Sequence, residues 1–97
     1  AEDLTELSDI EGQVVRLARE VAEEVLADGR VVTRVAVKVR SSTFFTQTRI
    51  RKLPAPTTTV GDIEQAALQV LGRFELTRPV RLLGVRLELA PRLAATS

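Results

Sequence analysis

The first stretch of the chain places apolar residues with the period of an α-helix. From Ser8 to Asp28 they form one stripe: Ile10, Val14, Leu17, Ala18, Val21, Ala22, Val25 and Leu26. Ser8 and Glu11 have the spacing of a capping box, in which two side chains satisfy free amides of the first turn. Gly29 is well placed to end the helix. This pattern predicts a helix over Ser8–Asp28.

The next two segments alternate like half-buried strands. Val31–Arg40 alternates valines with a second set: Arg34, Ala36, Lys38 and Arg40. Phe44–Leu53 alternates one set (Phe44, Thr46, Thr48, Ile50) with another (Phe45, Gln47, Arg49, Arg51). The short turn at Ser41–Thr43 predicts an antiparallel hairpin. We expect the valines and the Phe44 set to face the helices, so that both basic sets share the opposite side.

The second half of the chain predicts one more helix and one more strand. The segment Pro54–Thr59 breaks the alternation and is interpreted as a loop. Thr59, with Asp62 as its acidic partner, is a candidate cap for a helix that ends near Glu75–Pro79. The buried stripe of this helix is predicted to contain Ile63, Ala66, Ala67, Val70, Leu71 and Phe74.

Val80–Leu89 is the last predicted strand. Its inward residues would be Leu83, Val85, Leu87 and Leu89, and its outward residues Leu82, Gly84, Arg86 and Glu88. The element order α-β-β-α-β predicts an α+β fold, a three-stranded antiparallel sheet with two helices packed on one face. We expect one domain over residues 1–97, with 1–7 and 90–97 frayed.

Charge is segregated along the chain although its formal net value is +1. Residues 1–28 contain nine acids and two bases, whereas residues 29–53 contain seven bases and no acid. Such a separation predicts one strongly positive face and a polyanionic partner.

Several classes of function lack the residues they need. The chain has no cysteine and no histidine, which removes thiolate metal sites and the commonest general base. There is no phosphate-binding glycine loop, no run long enough to span a membrane and no signal peptide, so a cytoplasmic location is expected. The acids lie mostly on the solvent side of the first helix. We therefore expect no catalytic residue, metal or cofactor in this chain.

The predicted positive face suits phosphates better than bases. Its members would be Arg34, Lys38, Arg40, Arg49, Arg51 and Arg86. There is no tyrosine or tryptophan, Phe44 and Phe74 are expected in the core, and Phe45 is expected to pack on the hairpin. A sheet that binds unpaired bases normally offers aromatic platforms. This pattern predicts sequence-tolerant, salt-sensitive binding to a nucleic-acid backbone. Gly84 would permit a close backbone approach, or would relieve crowding within the fold.

Two motifs together resemble a known family. They are "TxTRxRxL" over Thr46–Leu53 and "VRLLGVRL" over Val80–Leu87, within a similarity that covers residues 3 to 92. The chain resembles the little finger, the C-terminal DNA-binding domain of Y-family translesion DNA polymerases. The resemblance implies a non-catalytic domain that grips primer-template duplex DNA through its phosphates. It also implies a parent DNA-directed DNA polymerase, a nucleoid-associated bacterial enzyme active in DNA repair, with Mg²⁺ only in the palm domain.

The resemblance also implies site residues and partners. By position, Thr48, Arg49 and Arg51 match hairpin residues that face DNA, and Arg81 and Arg86 match basic positions of the last strand. Lys38 and Arg40 are assigned only because they lie on the matching face of the first strand. The sliding clamp and the polymerase catalytic core are further implied partners, although "PRLAATS" does not resemble the clamp-binding tail of such polymerases.

The family fold is β-α-β-β-α-β, and this sequence begins after the family's first strand. The last strand, Val80–Leu89, would then be an unpaired edge and could pair two copies of the fragment. Two alternatives remain open at this point. One is an RNA-binding or ribosomal α+β module, and the other is a protein-interaction or dimerisation domain.

Overall fold

The computed structural model of the chain describes residues 6–41, 45–76 and 79–91. They form five elements in chain order: α1 (Leu7–Ala27), β1 (Val32–Ser41), β2 (Thr46–Thr57), α2 (Val60–Leu71) and β3 (Val80–Leu89). The strands form one antiparallel sheet in the order β2-β1-β3. The α+β class and the two-helix, three-strand architecture are therefore confirmed. The central place of β1 leaves β3 at one edge, as expected.

Helix α1 buries one side and begins a residue earlier than predicted. Its fully buried residues follow a four-residue spacing: Ile10, Val14, Ala18 and Ala22. The predicted capping box is wrong, because Glu6 is the N-cap and the Ile10 amide donates to the Glu6 carbonyl at 3.1 Å. Ser8 therefore already lies inside the first turn, where its hydroxyl cannot act as the cap.

The end of α1 follows the prediction. Gly29 has a φ of +75°, the left-handed conformation that glycine adopts without strain. Its amide donates to Leu26 and the Arg30 amide donates to Val25, which is the pattern of a Schellman motif. Arg30 Nη2 also donates to the Ala90 carbonyl at 3.1 Å, so this turn is connected to the end of β3. Fraying was predicted for residues 1–7 and 90–97, of which 1–5 and 92–97 fall outside the described residues. Within the described part, Leu7 begins α1 and the Ala90 amide donates to the Val31 carbonyl at 2.9 Å.

Helix α2 starts at the predicted place, but its N-terminus is capped by different hydrogen bonds from those predicted. Thr59 is the N-cap residue but makes no side-chain cap. Instead, the Thr57 hydroxyl donates to Asp62 Oδ2 at 2.8 Å and accepts the Thr59 amide at 3.1 Å. The helix ends at Leu71 with Gly72 as its C-cap, earlier than predicted. All six residues of its predicted stripe are buried, including Phe74 just beyond the helix.

Strand β2 continues through the segment that was predicted to be a loop. Its pairing with β1 runs from Arg40↔Thr46 to Arg34↔Lys52, and then resumes at Val32↔Thr57. Between these two pairs the chain runs two residues along β1 but five along β2, so the extra residues of β2 form a bulge. The bulge contains Pro54 and Pro56, which have no amide to donate to the ladder. The loop prediction was wrong because a proline-containing bulge keeps the chain extended beside its neighbour.

The two helices and the sheet form one core. Helix α1 packs on α2 and β3, and α2 packs on β1 and β2. An ion pair connects the helices at the surface, where Arg19 Nε donates to Glu64 Oε2 at 2.7 Å. This hydrogen bond and the charge of Glu64 raise the pKa of Arg19 above its usual value. Both helices therefore cover the same side of the sheet and leave the other side uncovered.

Candidate nucleic-acid interface

The strand register divides the sheet into a helix face and an open face. Directly paired residues of antiparallel strands lie on the same face. The open face consists of four rows, each given as β2, β1, β3: Thr46–Arg40–Leu82, Thr48–Lys38–Gly84, Ile50–Ala36–Arg86 and Lys52–Arg34–Glu88. The helix face has rows centred on the buried valines of β1, Val35, Val37 and Val39.

Strands β1 and β3 face as predicted. The β1 valines are buried, and Leu83, Val85, Leu87 and Leu89 pack against the core from β3. Lys38 and Arg86 are exposed on the open face. Ala36 lies on the same face but is buried, because its neighbours across the two ladders are the longer side chains of Ile50 and Arg86.

Strand β2 faces opposite to the prediction. Arg49 pairs with Val37 and Arg51 pairs with Val35, so both arginines lie on the helix face. Thr48 and Ile50 lie on the open face, and Ile50 is 44% exposed. The alternation was ambiguous, since apolar residues occur in both sets of β2. Leu53, which is buried, has the parity of the two arginines and fixes the facing.

The β2 arginines remain accessible because the helices only partly cover this edge. Arg49 is exposed, with its guanidinium carbon 5.8 Å from the centre of the Phe74 ring. Arg51 is half-buried, and its Nε is shielded from solvent without a hydrogen-bond partner among the described residues. Both side chains extend along the rim of the helix layer. A contact of these two residues with DNA stays a prediction, and it would have to be made from this rim.

The predicted roles of the aromatic residues are resolved in part. Phe74 is buried, as expected. Phe45 is 54% exposed and lines a recess on the helix side with Phe74 and Leu76. Phe44 lies outside the described residues. Among the described positions of the open face there is no aromatic side chain.

The open face carries cations on all three strands. They are Arg34, Lys38, Arg40, Lys52 and Arg86. Arg34 was predicted on the positive face but was not among the residues matched by the family resemblance, and Lys52 was predicted in neither set. Lys52 has the parity of Thr48, so the signal that could have identified it was the apolar Leu53 beside it. Arg81 is exposed and is the extra residue of a bulge, because Arg40 pairs with Leu82 while Ser41 pairs with Val80.

Glu88 is the acid among the described open-face residues. Its Oε1 accepts from Arg34 Nη1 at 3.1 Å, and its Oε2 lies 3.7 Å from Arg86 Nη2. Lys38 makes no ion pair within the described part of the chain. The positive potential of the face is therefore reduced at the Glu88 end and is not reduced around Lys38.

A shallow depression lies in the middle of the open face. It has a volume of about 410 Å³ and is lined by Ala36, Lys38, Thr48, Gly84, Val85 and Arg86. Ala36, with only a methyl group, and Gly84, with no side chain, lie at its floor, and the longer side chains stand around it. Two cations and a hydroxyl thus surround a space that the protein itself leaves open.

Other chemistry finds little support in the described residues. Residues 6–41, 45–76 and 79–91 contain no group of three acidic, histidine or cysteine side chains that could hold a metal ion. Within the same ranges no helix is both long and apolar enough to cross a membrane. What the geometry offers is a cationic, non-aromatic sheet surface, which fits a phosphate backbone.

Known proteins are similar to this chain in sequence and in fold. Residues 1–92 match the impB/mucB/samB family C-terminal domain. DNA polymerase IV 2 of Mycobacterium tuberculosis is 59% identical over 88 residues, which is 91% of this chain and 25% of that protein. DNA polymerase IV of Methanoculleus marisnigri is 44% identical over 78 residues, 80% of this chain and 22% of that protein. The chain thus spans about a quarter of the length of the curated relatives it matches.

A solved structure shows the same fold. It is the complex of the beta-clamp processivity factor and the little finger domain of PolIV, with a TM-score of 0.73 and 23% identity. The match covers 96% of this chain and 84% of that chain. The chain belongs to the impB/mucB/samB C-terminal family, the little finger domain of Y-family DNA polymerases. The resemblance seen in its two sequence motifs is therefore confirmed.

Proposed function

We propose that this chain is the DNA-holding domain of a translesion DNA polymerase, and that its open face grips the phosphate backbone of the primer-template duplex. The observation that carries the proposal is the composition of that face. All three strands contribute cations to it, and its described positions include no aromatic residue. Phosphate contacts position a protein on DNA without reading its sequence, so the binding would be sequence-tolerant.

The chemistry of nucleotide transfer would belong to the parent protein. A palm domain would supply the carboxylates and Mg²⁺, while this domain would add affinity for the duplex and need no cofactor. Its site residues on the open face would be Lys38, Arg40, Thr48 and Arg86, joined by Arg34 and Lys52. Arg81, at the bulge of β3, and the rim arginines Arg49 and Arg51 would contribute at longer range. Binding to the chromosome would place the polymerase in the bacterial cytoplasm, at the nucleoid.

Three double variants test which surface binds. Replacing Lys38 and Arg86 by alanine removes two open-face phosphate contacts, so duplex affinity should fall about tenfold or more and the salt slope by about 2. Replacing Arg49 and Arg51 by alanine should lower duplex affinity about threefold, because charges at the rim act on DNA through solvent that screens them. Replacing Arg16 on α1 and Arg73 after α2 is the control and should leave affinity nearly unchanged. Fluorescence anisotropy with a primer-template duplex at several salt concentrations measures all three.

Two outcomes would contradict the proposal. One is an open-face double variant that binds duplex DNA like the unmodified chain. The other is a clear preference for single-stranded RNA over primer-template DNA, which would favour the RNA-binding alternative. A larger loss from the Arg49 and Arg51 pair than from the open-face pair would move the interface to the rim.

Protein partners form a second candidate function. The structural neighbour was solved with the beta-clamp, so the sliding clamp is a proposed partner of this chain, as is the polymerase catalytic core. The described part of β3 pairs with β1 on one side only, and its core-side residues from Leu83 to Leu89 are only partly buried. Such an edge can pair with another strand, including the β3 of a second copy. Sedimentation of the chain at high concentration should show dimers, and a clean monomer would contradict self-pairing.

A further inference from the structure

We propose that the depression at Gly84 is a seat for one phosphate group of a nucleic-acid strand, with Lys38, Thr48 and Arg86 as its donors. The inference rests on the proposed function and makes it specific to one place. It assigns Gly84 a role in binding, through the space that its missing side chain leaves above the sheet.

Nothing within the described fold requires a glycine at position 84. Gly29 is the glycine with a positive φ among the described residues, so the backbone of Gly84 does not need one. Its pairing with Lys38 is regular, and the register shifts of β3 lie elsewhere. A Cβ added at position 84 would lie 3.7 Å from the Cβ of Lys38, which is ordinary van der Waals contact. Because glycine weakens a strand, its presence here points to a function outside the fold.

The positions around Gly84 are spaced for a single anion. Thr48, Lys38 and Gly84 form one row across the three strands, and Arg86 lies diagonally from Lys38 on the next row. Facing Cβ atoms in such a sheet are about 5 Å apart and diagonal ones about 7–8 Å. The long side chains of Lys38 and Arg86 can therefore both reach an anion above Gly84, and Thr48 lines the same depression from the far side of Lys38.

The two cations are available for a ligand. Lys38 makes no ion pair within the described ranges. The Arg86 side chain is 68% exposed, and its contact with Glu88 spans 3.7 Å. An exposed pair of this length is weak, so an incoming phosphate can replace it.

A phosphate fits this donor set better than a base or a carboxylate. The ammonium, guanidinium and hydroxyl groups approach from three sides, and the oxygens of a phosphodiester accept hydrogen bonds in several directions. A base would need a flat platform, and the lining contains no aromatic ring. The small floor residues Ala36 and Gly84 let a phosphodiester come close to the sheet.

The test is a substitution that adds volume without changing charge. Gly84→Val should weaken binding to a primer-template duplex about tenfold and lower the salt slope by about one, as if one phosphate contact were lost. Gly84→Ala should cause a smaller loss, about twofold to threefold. The melting temperature of both variants should be unchanged or higher, since valine and alanine suit a strand better than glycine does. Gly12→Ala, at an exposed position of α1, is the matched control and should leave DNA affinity unchanged.

A double-variant cycle sharpens the test. If Gly84→Val and Lys38→Ala disturb the same phosphate, their combination should lose clearly less affinity than the product of the two separate losses. Fully multiplicative losses would contradict a shared seat.

The outcomes separate the seat from the proposed function. If the unmodified chain does not bind duplex DNA, the proposed function fails and the seat fails with it. If it binds, and the Lys38 and Arg86 variants weaken it while Gly84→Val does not, the function stands and the seat is overturned. If Gly84→Val lowers the melting temperature, the substitution disturbs the fold and the affinity of Gly84→Ala is used instead. An unchanged DNA affinity of Gly84→Ala then overturns the seat.

Discussion

The two edge strands of the sheet flank the same central strand, yet they present opposite chemistry to the helices. On β3 the helix face holds Leu83, Val85 and Leu87. On β2 the corresponding positions, in the same rows of the ladder, hold Gln47, Arg49 and Arg51. The valines of β1 therefore lie between an apolar strand and a basic strand. Both edge strands contain basic residues, but only β3 faces the helices in the way that the sequence predicted.

Helix coverage explains the difference. Helix α1 packs along β3, so the inward side chains of β3 complete the core. Strand β2 is packed by α2, and its arginines lie at the rim of that contact, where Arg49 is exposed and Arg51 is half-buried with its Nε shielded from solvent. Half of an edge strand's helix face can thus be basic because the helix layer covers its guanidinium groups only in part. The comparison teaches that the period of a strand predicts two faces, and the layer above decides which face must be apolar.

The largest effect that tests this comparison is on stability. Leu87 and Arg51 are both paired with Val35, on opposite sides of β1. Leu87→Ala removes apolar surface packed under α1, so the free energy of unfolding should fall by about 2 kcal/mol. Arg51→Ala removes a rim side chain and should cost less than about 1 kcal/mol. Urea unfolding followed by circular dichroism measures both.

Equal costs for the two substitutions would contradict this account of the edges. A larger cost for Arg51→Ala would mean that its stem is part of the core. Arg16→Ala, at an exposed site of α1, provides a control for the loss of an arginine far from the sheet.

A smaller effect concerns the open face at the row of Arg34. There β2 contributes the cation Lys52 and β3 contributes the acid Glu88. Glu88→Gln releases Arg34 and Arg86 from their exposed ion pairs, so duplex affinity at low salt should rise about twofold to threefold. Lys52→Gln should lower it by a similar factor. The same anisotropy titration measures both changes.

The opposite sign of these two changes is the point of the experiment. If both substitutions lower affinity, Glu88 has a structural role on the open face that outweighs its repulsion of DNA. If neither has an effect, the interface lies nearer to Lys38. High salt should abolish the difference, because exposed charges are screened.

Much of the fold followed from local patterns. The stripes of α1 and α2, the valines of β1 and both faces of β3 could be predicted, since each has one strongly apolar side. The capping box failed because a helix can begin one residue earlier and use a different N-cap. The loop at Pro54–Thr59 failed because propensity does not show that a neighbouring strand holds a bulge in place.

The candidate site could be predicted only in part. The charge segregation and the shortage of aromatics indicated a phosphate-binding sheet, and the family motifs indicated DNA. The alternation favoured Arg49 and Arg51 over Thr48 as outward residues, whereas the register places Thr48 on the open face with Lys38. Lys52 was omitted from the predicted positive face because the facing of β2 was read from Ile50 rather than from Leu53.

By itself the sequence determined the class of fold, the order of elements, the separation of charge and the family. These features depend on periodicity, composition and motif, all of which are local or additive along the chain. Only the tertiary structure decided which face of β2 meets the helices, and which cations share a face with Gly84. That choice depends on strand register and on how far two helices can cover three strands. Both are relations between segments that are distant in sequence.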